Sequence, residues 1–354
     1  MTGRGIDQVF PHPSDPGLHE GYVQSAIEYV ALAERAHGSI PKPVDFSYVW
    51  GDALTELNRV APDVRIINLE TSITTSENYE RKGINYRMHP ANIDCLATAG
   101  IECCVLANNH TLDWGTEGLV ETLNVLHAAG LKTAGAGNNA TEALQPAALP
   151  KDNGRVLVFA AATPDSGVLD HWAAGETKPG IALLPDLSEA AAESFAASVQ
   201  ACRRPGDHVV FSIHWGGNWG YEIPQAQRDF AHRLIDGGGA DVIHGHSSHH
   251  PKGVEVYKNR LILYGCGDFF NDYEGISGYE EYRGNLALMY FVTLGAGGEL
   301  LRLTMVPLEI RRFQLQRAGP ADSAWLRDTM DREARRLGAR VASASGDTFE
   351  LHWD

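Results

Sequence analysis

The chain has 354 residues, long enough for one large domain with a modest appendage and short for three. Its 44% hydrophobic content is ordinary for a globular protein and supplies a sizeable core. A net charge of −16, from 45 acidic against 29 basic side chains, argues against nucleic acid or an anionic membrane as a partner.

Residues 1–20 are rich in Pro, Gly and His and read as loop. Apolar positions at helical spacing over 22–37 predict a helix that Pro41 and Pro43 end. Residues 52–59 predict a short helix with Asp52 as its N-cap. Six strand-length apolar runs follow, and each closes in a polar cluster: VRIINLE (64–70), IECCVLANNH (101–110), VLVFAAAT (156–163), VVFSIHWG (209–216), ADVIHGHSSHH (240–250) and RLILYGCGDF (260–269). Helical patterns lie between them at 92–100, 116–130, 187–203 and 225–239. This alternation predicts an α/β sheet, in which function sits beyond the carboxyl ends of the strands. From residue 284 the pattern turns to β, with NLALMYFVTL and ELLRLTMVPLEIRRFQLQ reading as antiparallel strands joined by GAGG. An amphipathic helix over 321–340 and a last strand, TFELHW, close the chain.

No apolar stretch approaches 18 residues, so no transmembrane helix is expected, and the N-terminal residues show no signal peptide. Cys95, Cys103, Cys104, Cys202 and Cys266 are odd in number and lack zinc-finger spacing. The adjacent pair Cys103–Cys104 lies in an apolar run, which suits reduced, buried thiols and a cytoplasmic compartment.

Four polar clusters carry chemistry. HGHSSHH (244–250) packs four histidines into seven residues, and a loop bearing His246 and His249 can turn two imidazoles to one point. ANNHTLDWG (107–115) places Asn109 and His110 at a strand end with Asp113 three residues on, an acid–base pair and its orienting carboxylate. Asn108 and Asp113 have a competing use as caps of the following helix. IHWGGNWGYE (213–222) supplies His214 and an aromatic lip of Trp215, Trp219 and Tyr221. The tryptophans have an alternative use in packing neighbouring loops. INLETS (67–72) adds Glu70 as an oxygen donor. Two further strings stay open between pocket lining and ordinary roles: YGCGDFFNDYEGI with Asp268, and NYRMHPANI, where Arg87 is a candidate for an anionic substrate group or a surface residue. Glu70, Asn109, His214, His246 and His249 form a mixed O/N set from four strand ends, suited to one or two divalent ions (Mn, Zn, Fe, Mg or Ca) in a hydrolytic site.

The strings INLE, ANNHTLDWG, HWG, GHSSHHP and YGCGDF resemble the CapA family of poly-γ-glutamate capsule synthesis, related to the calcineurin-like metallophosphoesterases. HWGGNWGY together with HGHSSHHP looks closest to the subgroup named polyglutamine synthesis accessory proteins. The resemblance covers about residues 1–315 and implies an α/β/β/α metallophosphatase-like sandwich, with 316–354 appended as a helix and short strand. It implies metal binding by Asn109, His214, His246 and His249, and a catalytic acid at His110 held by Asp113. Glu70 stands where the phosphoesterases carry a metal-bridging Asp. The family begins with a strand ending in Gly-Asp, and here Gly3-Arg4-Gly5-Ile6-Asp7-Gln8 aligns with the string that follows it. A start upstream of Met1 is therefore expected; otherwise the fold lacks its first strand. Localisation follows the same split: cytoplasmic as the sequence stands, envelope-associated with an upstream start. The implied function is accessory work in synthesis, transport or localisation of an anionic polyamide. The implied partners are an anionic polymer or peptide substrate and polymer-synthesis proteins. A metal- or polymer-binding module without turnover and a true phosphoesterase are the alternatives.

Overall fold

The computed structural model describes all 354 residues. The expected α/β alternation is present, distributed over three main sheets. In the first, Ile66–Asn68 (β1), Cys103–Val105 (β2) and Lys132–Ala134 (β3) run parallel in the order β1-β2-β3. β1 is paired on one side only. The second sheet holds Ala147–Lys151 (β4), Gly154–Ala162 (β5), His208–His214 (β6), Val242–His246 (β7), Val254–Tyr257 (β8) and Arg260–Leu263 (β9), ordered β8-β9-β7-β6-β5-β4. Its centre, β5-β6-β7-β9, is parallel, and both edge strands join antiparallel. The third sheet is antiparallel: Leu286–Leu294 (β10), Leu300–Arg311 (β11), Gln314–Arg317 (β12), Ala339–Ala344 (β13) and Thr348–Trp353 (β14).

Strand alternation decides what the central sheet presents to each side. Leu157, Phe159, Phe211, Ile213 and Ile243 point to one face, where they meet the helices Glu189–Cys202 and Gln225–Asp236. The first of these helices forms because Ser188 caps it, accepting from Ala191 N at 3.2 Å, and because Ala192, Phe195, Ala196 and Val199 recur at helical spacing. Fully burying one side chain such as Phe211 contributes about 1.5–3 kcal/mol. Val156, Val158, Val242 and Leu261 point to the opposite face, against the other two sheets. Ser212, His214, His244 and His246 share that second face, so four polar side chains lie inside the molecule.

One expectation changes. Asp52 is the first helical residue rather than the cap: Gly51 precedes it, and the Asp52 carboxylate accepts from Arg317 N at 2.8 Å. Residues 1–20 are largely irregular, as expected, and are anchored inside the molecule: Arg4 is buried between Asp272 (Nη2–Oδ1 2.5 Å) and Glu20 (Nη1–Oε1 2.8 Å), and Asp7 is fully buried. The segment 316–354 is tied into the third sheet, where Thr304 and Met305 of β11 pair with Glu350 and Phe349 of β14. Cys103 and Cys104 are buried free thiols, as their apolar setting predicts, and so is Cys95. No helix is long and apolar enough to cross a membrane.

Candidate functional site

The carboxyl ends of β1, β2, β6 and β7 bring the expected clusters to one region. Asn108 makes the local architecture. Its Nδ2 donates to Asn68 Oδ1 (3.0 Å) and Leu69 O (2.9 Å), and its Oδ1 accepts from His110 N (3.1 Å) and Thr111 Oγ1 (3.0 Å). Asn108 is thus spent on tying two strand ends together, whereas its neighbour Asn109 keeps a buried Oδ1 with no hydrogen-bond partner.

His110 Nδ1 lies 2.7 Å from Asp113 Oδ2, which also accepts from Tyr86 N at 2.6 Å. Burial pulls the His110 pKa down to about 4, against the opposing pull of Asp113, so the ring is neutral at pH 7. With its Nδ1 proton directed at Asp113, Nε2 is the ring's lone pair. In this state His110 receives a proton before it can give one.

Glu70 accepts from Asn68 Nδ2 at 2.9 Å through Oε2, and its Oε1 stands 3.7 Å from His214 Nε2. Burial raises the Glu70 pKa to about 7; His249 lowers it and Asp268 raises it further. His214 Nδ1 meets His246 Nδ1 at 2.8 Å, and His214 Nε2 is buried with no partner. Two imidazole nitrogens so close cannot both present lone pairs; they must share a proton or face a common cation. Burial holds both histidines well below the ordinary imidazole range. His249 differs, because its Nδ1 contacts both Asp268 oxygens at 3.0–3.1 Å. Burial pulls its pKa down, but Asp268 outweighs that and leaves it raised.

No three His, Cys, Asp or Glu side chains stand close enough to form a finished cage. What converges is a looser set: Glu70, His214 and His246 in direct succession, with His249 electrostatically coupled to Glu70 and His214. Asn109 Oδ1 and His214 Nε2 are both buried without a hydrogen-bond partner.

Comparison with known proteins gives these strings a family. The description "Bacterial capsule synthesis protein PGA_cap" matches residues 1–273. The chain belongs to this family. A "probable polyglutamine synthesis accessory protein" of Mycobacterium tuberculosis is 46% identical over 355 aligned residues, covering 99% of this chain and 93% of that one. The "PGA biosynthesis protein CapA" of Bacillus subtilis is 28% identical, over 69% of this chain and 60% of its own. The "capsule biosynthesis protein CapA" of Bacillus anthracis is 27% identical, over 66% and 54%. The PGA_cap match ends at 273, short of the span to 315 read from the motifs, so the third sheet lies beyond it.

Within this PGA_cap domain the expected substrate residues separate. Trp215 is a core residue: 3% exposed, its indole N–H donating to Tyr264 O at 2.9 Å and its ring stacked on Tyr264. It continues the Phe211–Ile213 face of β6, and that period of two was already visible in the sequence. Trp219 does form a shelf. It stacks on Tyr279 at 4.1 Å between ring centroids and lies 5.3 Å from both His249 and Tyr282, with Tyr221 5.5 Å from Tyr282. Arg87 takes neither expected role. It is buried over the Trp114 ring, its Nη1 bonds Ser76 O and Glu77 Oε1, and the cleft beside it has room for about one water. The motifs missed Lys82, whose Nζ lies 2.7 Å from Asp113 Oδ1, 3.3 Å from His110 Nδ1 and against Asn109 O. Nothing in the spacing of its loop marks it; only the fold brings it to Asp113.

Proposed function

We propose that this chain is an accessory protein in the synthesis, transport or localisation of an anionic polyamide of the poly-γ-glutamate or polyglutamine type, and that it is a metal-dependent hydrolase-like enzyme. The accessory role rests on the relatives' names, above all the Mycobacterium tuberculosis protein that spans nearly the whole chain. The enzymatic part rests on one observation: His214 Nε2 is buried without a partner 3.7 Å from Glu70 Oε1, and Asn109 Oδ1, next in sequence to the His110–Asp113 pair, is buried without a partner too. A buried lone pair left unmet costs about 1–3 kcal/mol, and a cation bound here would relieve that cost.

Carbonyl oxygen, carboxylate and imidazole together suit a divalent ion of borderline softness. Glu70, Asn109 and His214 would hold it with His246 braced behind His214, and His249 would join once its proton is displaced. Such an ion supplies Lewis acidity and water activation at the strand ends. The protein's own part is proton handling and orientation. Asp113 keeps the His110 ring turned so that Nε2 takes a proton from water and passes it to the leaving nitrogen of an amide. Trp219 and Tyr221 offer flat apolar contact to the polymer. The reading includes the calcineurin-like sandwich; in its favour, every candidate donor lies at or just beyond the carboxyl end of a strand in a parallel array.

A second reading, a binding module without turnover, is favoured by the lack of any preassembled cage and by Glu70 in place of the bridging Asp. Calorimetry with Mn²⁺ and Zn²⁺, followed by chain-length analysis of poly-γ-glutamate, separates the two. Metal-dependent shortening that is lost in His110→Ala and His246→Ala supports the enzyme. Polymer binding without shortening under any metal leaves the module. Hydrolysis of simple phosphoesters with the polymer untouched replaces both with a phosphoesterase.

A further inference from the structure

β6 and β7 run parallel in a register that places Ser212 beside His244 and His214 beside His246. Alternation puts all four side chains on the same inner face. They form one continuous hydrogen-bonded row. Ser212 Oγ lies 2.9 Å from His244 Nδ1 and 2.9 Å from His246 Nε2, and His246 Nδ1 lies 2.8 Å from His214 Nδ1. Ser212 is fully buried, and its hydroxyl has no other contact.

We infer that Ser212, backed by His244, is a positioning residue that fixes the tautomer of His246, whose bare Nδ1 then takes the His214 Nδ1 proton and so leaves the His214 Nε2 lone pair facing the site beside Glu70. This rests on the metal-binding reading above and assigns a role to two residues outside the expected ligand set.

The argument is donor arithmetic. A hydroxyl has one proton to give, and a neutral imidazole has one N–H and one lone pair. With His244 accepting at Nδ1, Ser212 gives its proton there and turns a lone pair toward His246. His246 then carries its proton on Nε2, donates it to Ser212 Oγ, and keeps Nδ1 bare. His214 in turn donates from Nδ1 to that bare nitrogen and keeps Nε2 bare, the atom found buried without a partner 3.7 Å from Glu70 Oε1. One polarity thus makes every contact in the row a proper donor–acceptor pair and leaves the row's single unmet lone pair facing the candidate site. Reversed, the row ends in a His214 Nε2–H turned toward Glu70 Oε1 at 3.7 Å, which closes that nitrogen to a cation. A group that holds the far nitrogen of a ligating histidine typically changes metal affinity by 10–100-fold when removed, and His246, kept in one tautomer by Ser212, is that group for His214.

Two measurements on the full chain test this. Long-range ¹H–¹⁵N spectra of histidine-labelled protein should show His246 and His244 as Nε2–H tautomers and His214 as Nδ1–H; Nδ1–H at His246 overturns the inference. Zn²⁺ calorimetry should show 10–100-fold weaker binding in Ser212→Ala, with Ser212→Thr restoring most of it, while thermal melts establish that both variants are folded. Wild-type binding matched by Ser212→Ala sinks the positioning role and leaves the metal reading intact. A wild type that binds no Zn²⁺ sinks both. Should Ser212→Ala fail to fold, the wild-type tautomers decide alone.

Discussion

Lys82 places its ammonium 2.7 Å from Asp113 Oδ1 while His110 occupies the other carboxylate oxygen. The Asp113 side chain is fully buried and Lys82 nearly so, so the carboxylate that orients the histidine depends on a cation from a distant loop. Removing one partner of a buried pair strands the other charge. Lys82→Met should therefore destabilise the chain by about 3 kcal/mol, the low end for such a loss because Lys82 keeps some solvent contact. Lys82→Met combined with Asp113→Asn should recover a good part of that loss. Urea denaturation of the two singles and the double closes the cycle; strictly additive effects would show that the pair is not coupled.

Asn108 and Asn109 are neighbours with opposite assignments. Asn108 makes four hydrogen bonds that join two strand ends, and Asn109 presents a buried oxygen to nothing in the chain. Asn108→Ala should cost about 1–3 kcal/mol of stability, because it leaves buried backbone and side-chain groups unsatisfied. Asn109→Ala should cost much less stability yet weaken Mn²⁺ or Zn²⁺ binding at least tenfold. Chemical denaturation and calorimetry on both variants make the comparison; a destabilised Asn109→Ala with unchanged metal binding would return that residue to a structural role.

The parallel strands of the central sheet were legible because strands buried on both faces read as continuous apolar runs. β5, β6, β7 and β9 all fall on such runs. Several edge strands were not legible. β4 contains Pro150, which a ladder tolerates only at an edge, and β3 is the unremarkable string Lys-Thr-Ala. The same division holds in the site. Glu70, Asn109, His214 and His246 stood out because polar groups end apolar strands there. Ser212 was hidden inside such a run, where only the register between β6 and β7 gives it partners. Lys82 sits 31 positions from Asp113 in a loop without periodicity, and no local pattern encodes a contact made by tertiary folding alone.

Asp207 offers a pH test away from the site. Its side chain is buried and accepts from Arg155 Nη2 at 2.5 Å, Arg155 N at 3.1 Å and Arg204 N at 2.9 Å. The bond from the Arg155 side chain, with the backbone donors, outweighs burial and holds the carboxyl below its ordinary value. A depressed carboxyl binds fewer protons in the folded state than in the unfolded one, so stability rises with pH across that interval. The contribution is complete above the unfolded value near 4 and disappears as the pH falls through the depressed folded value. Asp207→Asn should cost about 1.5–3 kcal/mol at pH 7, the range for hydrogen bonds to a charged group. It should also flatten the loss of stability on acidification. Urea midpoints at pH 7 and pH 3 read both effects, and an equal acid-induced drop in the variant would contradict the assignment.

The last prediction separates two tryptophans four residues apart. Trp215 closes the Phe211–Ile213 face of β6 against Phe230 and Tyr264, with its indole N–H satisfied by Tyr264 O. Trp215→Ala leaves a cavity in a close-packed layer and an orphaned carbonyl, and it should cost about 3–5 kcal/mol. Trp219 is half-buried, and its principal partner is the exposed ring of Tyr279, stacked within 4° of parallel. Losing that contact is worth about 0.5–1.5 kcal/mol, so Trp219→Ala should remain well folded. If Trp219 and Tyr221 carry the polymer past His249, Trp219→Ala should weaken binding of poly-γ-glutamate several-fold while leaving Zn²⁺ affinity unchanged, because its ring supplies no ligand atom. Fluorescence titration with the polymer and calorimetry with the metal, run on the same preparation, read the two effects separately. Unaltered polymer binding in a folded Trp219→Ala variant would reduce the shelf to loop packing, the role that Trp215 already plays in the core.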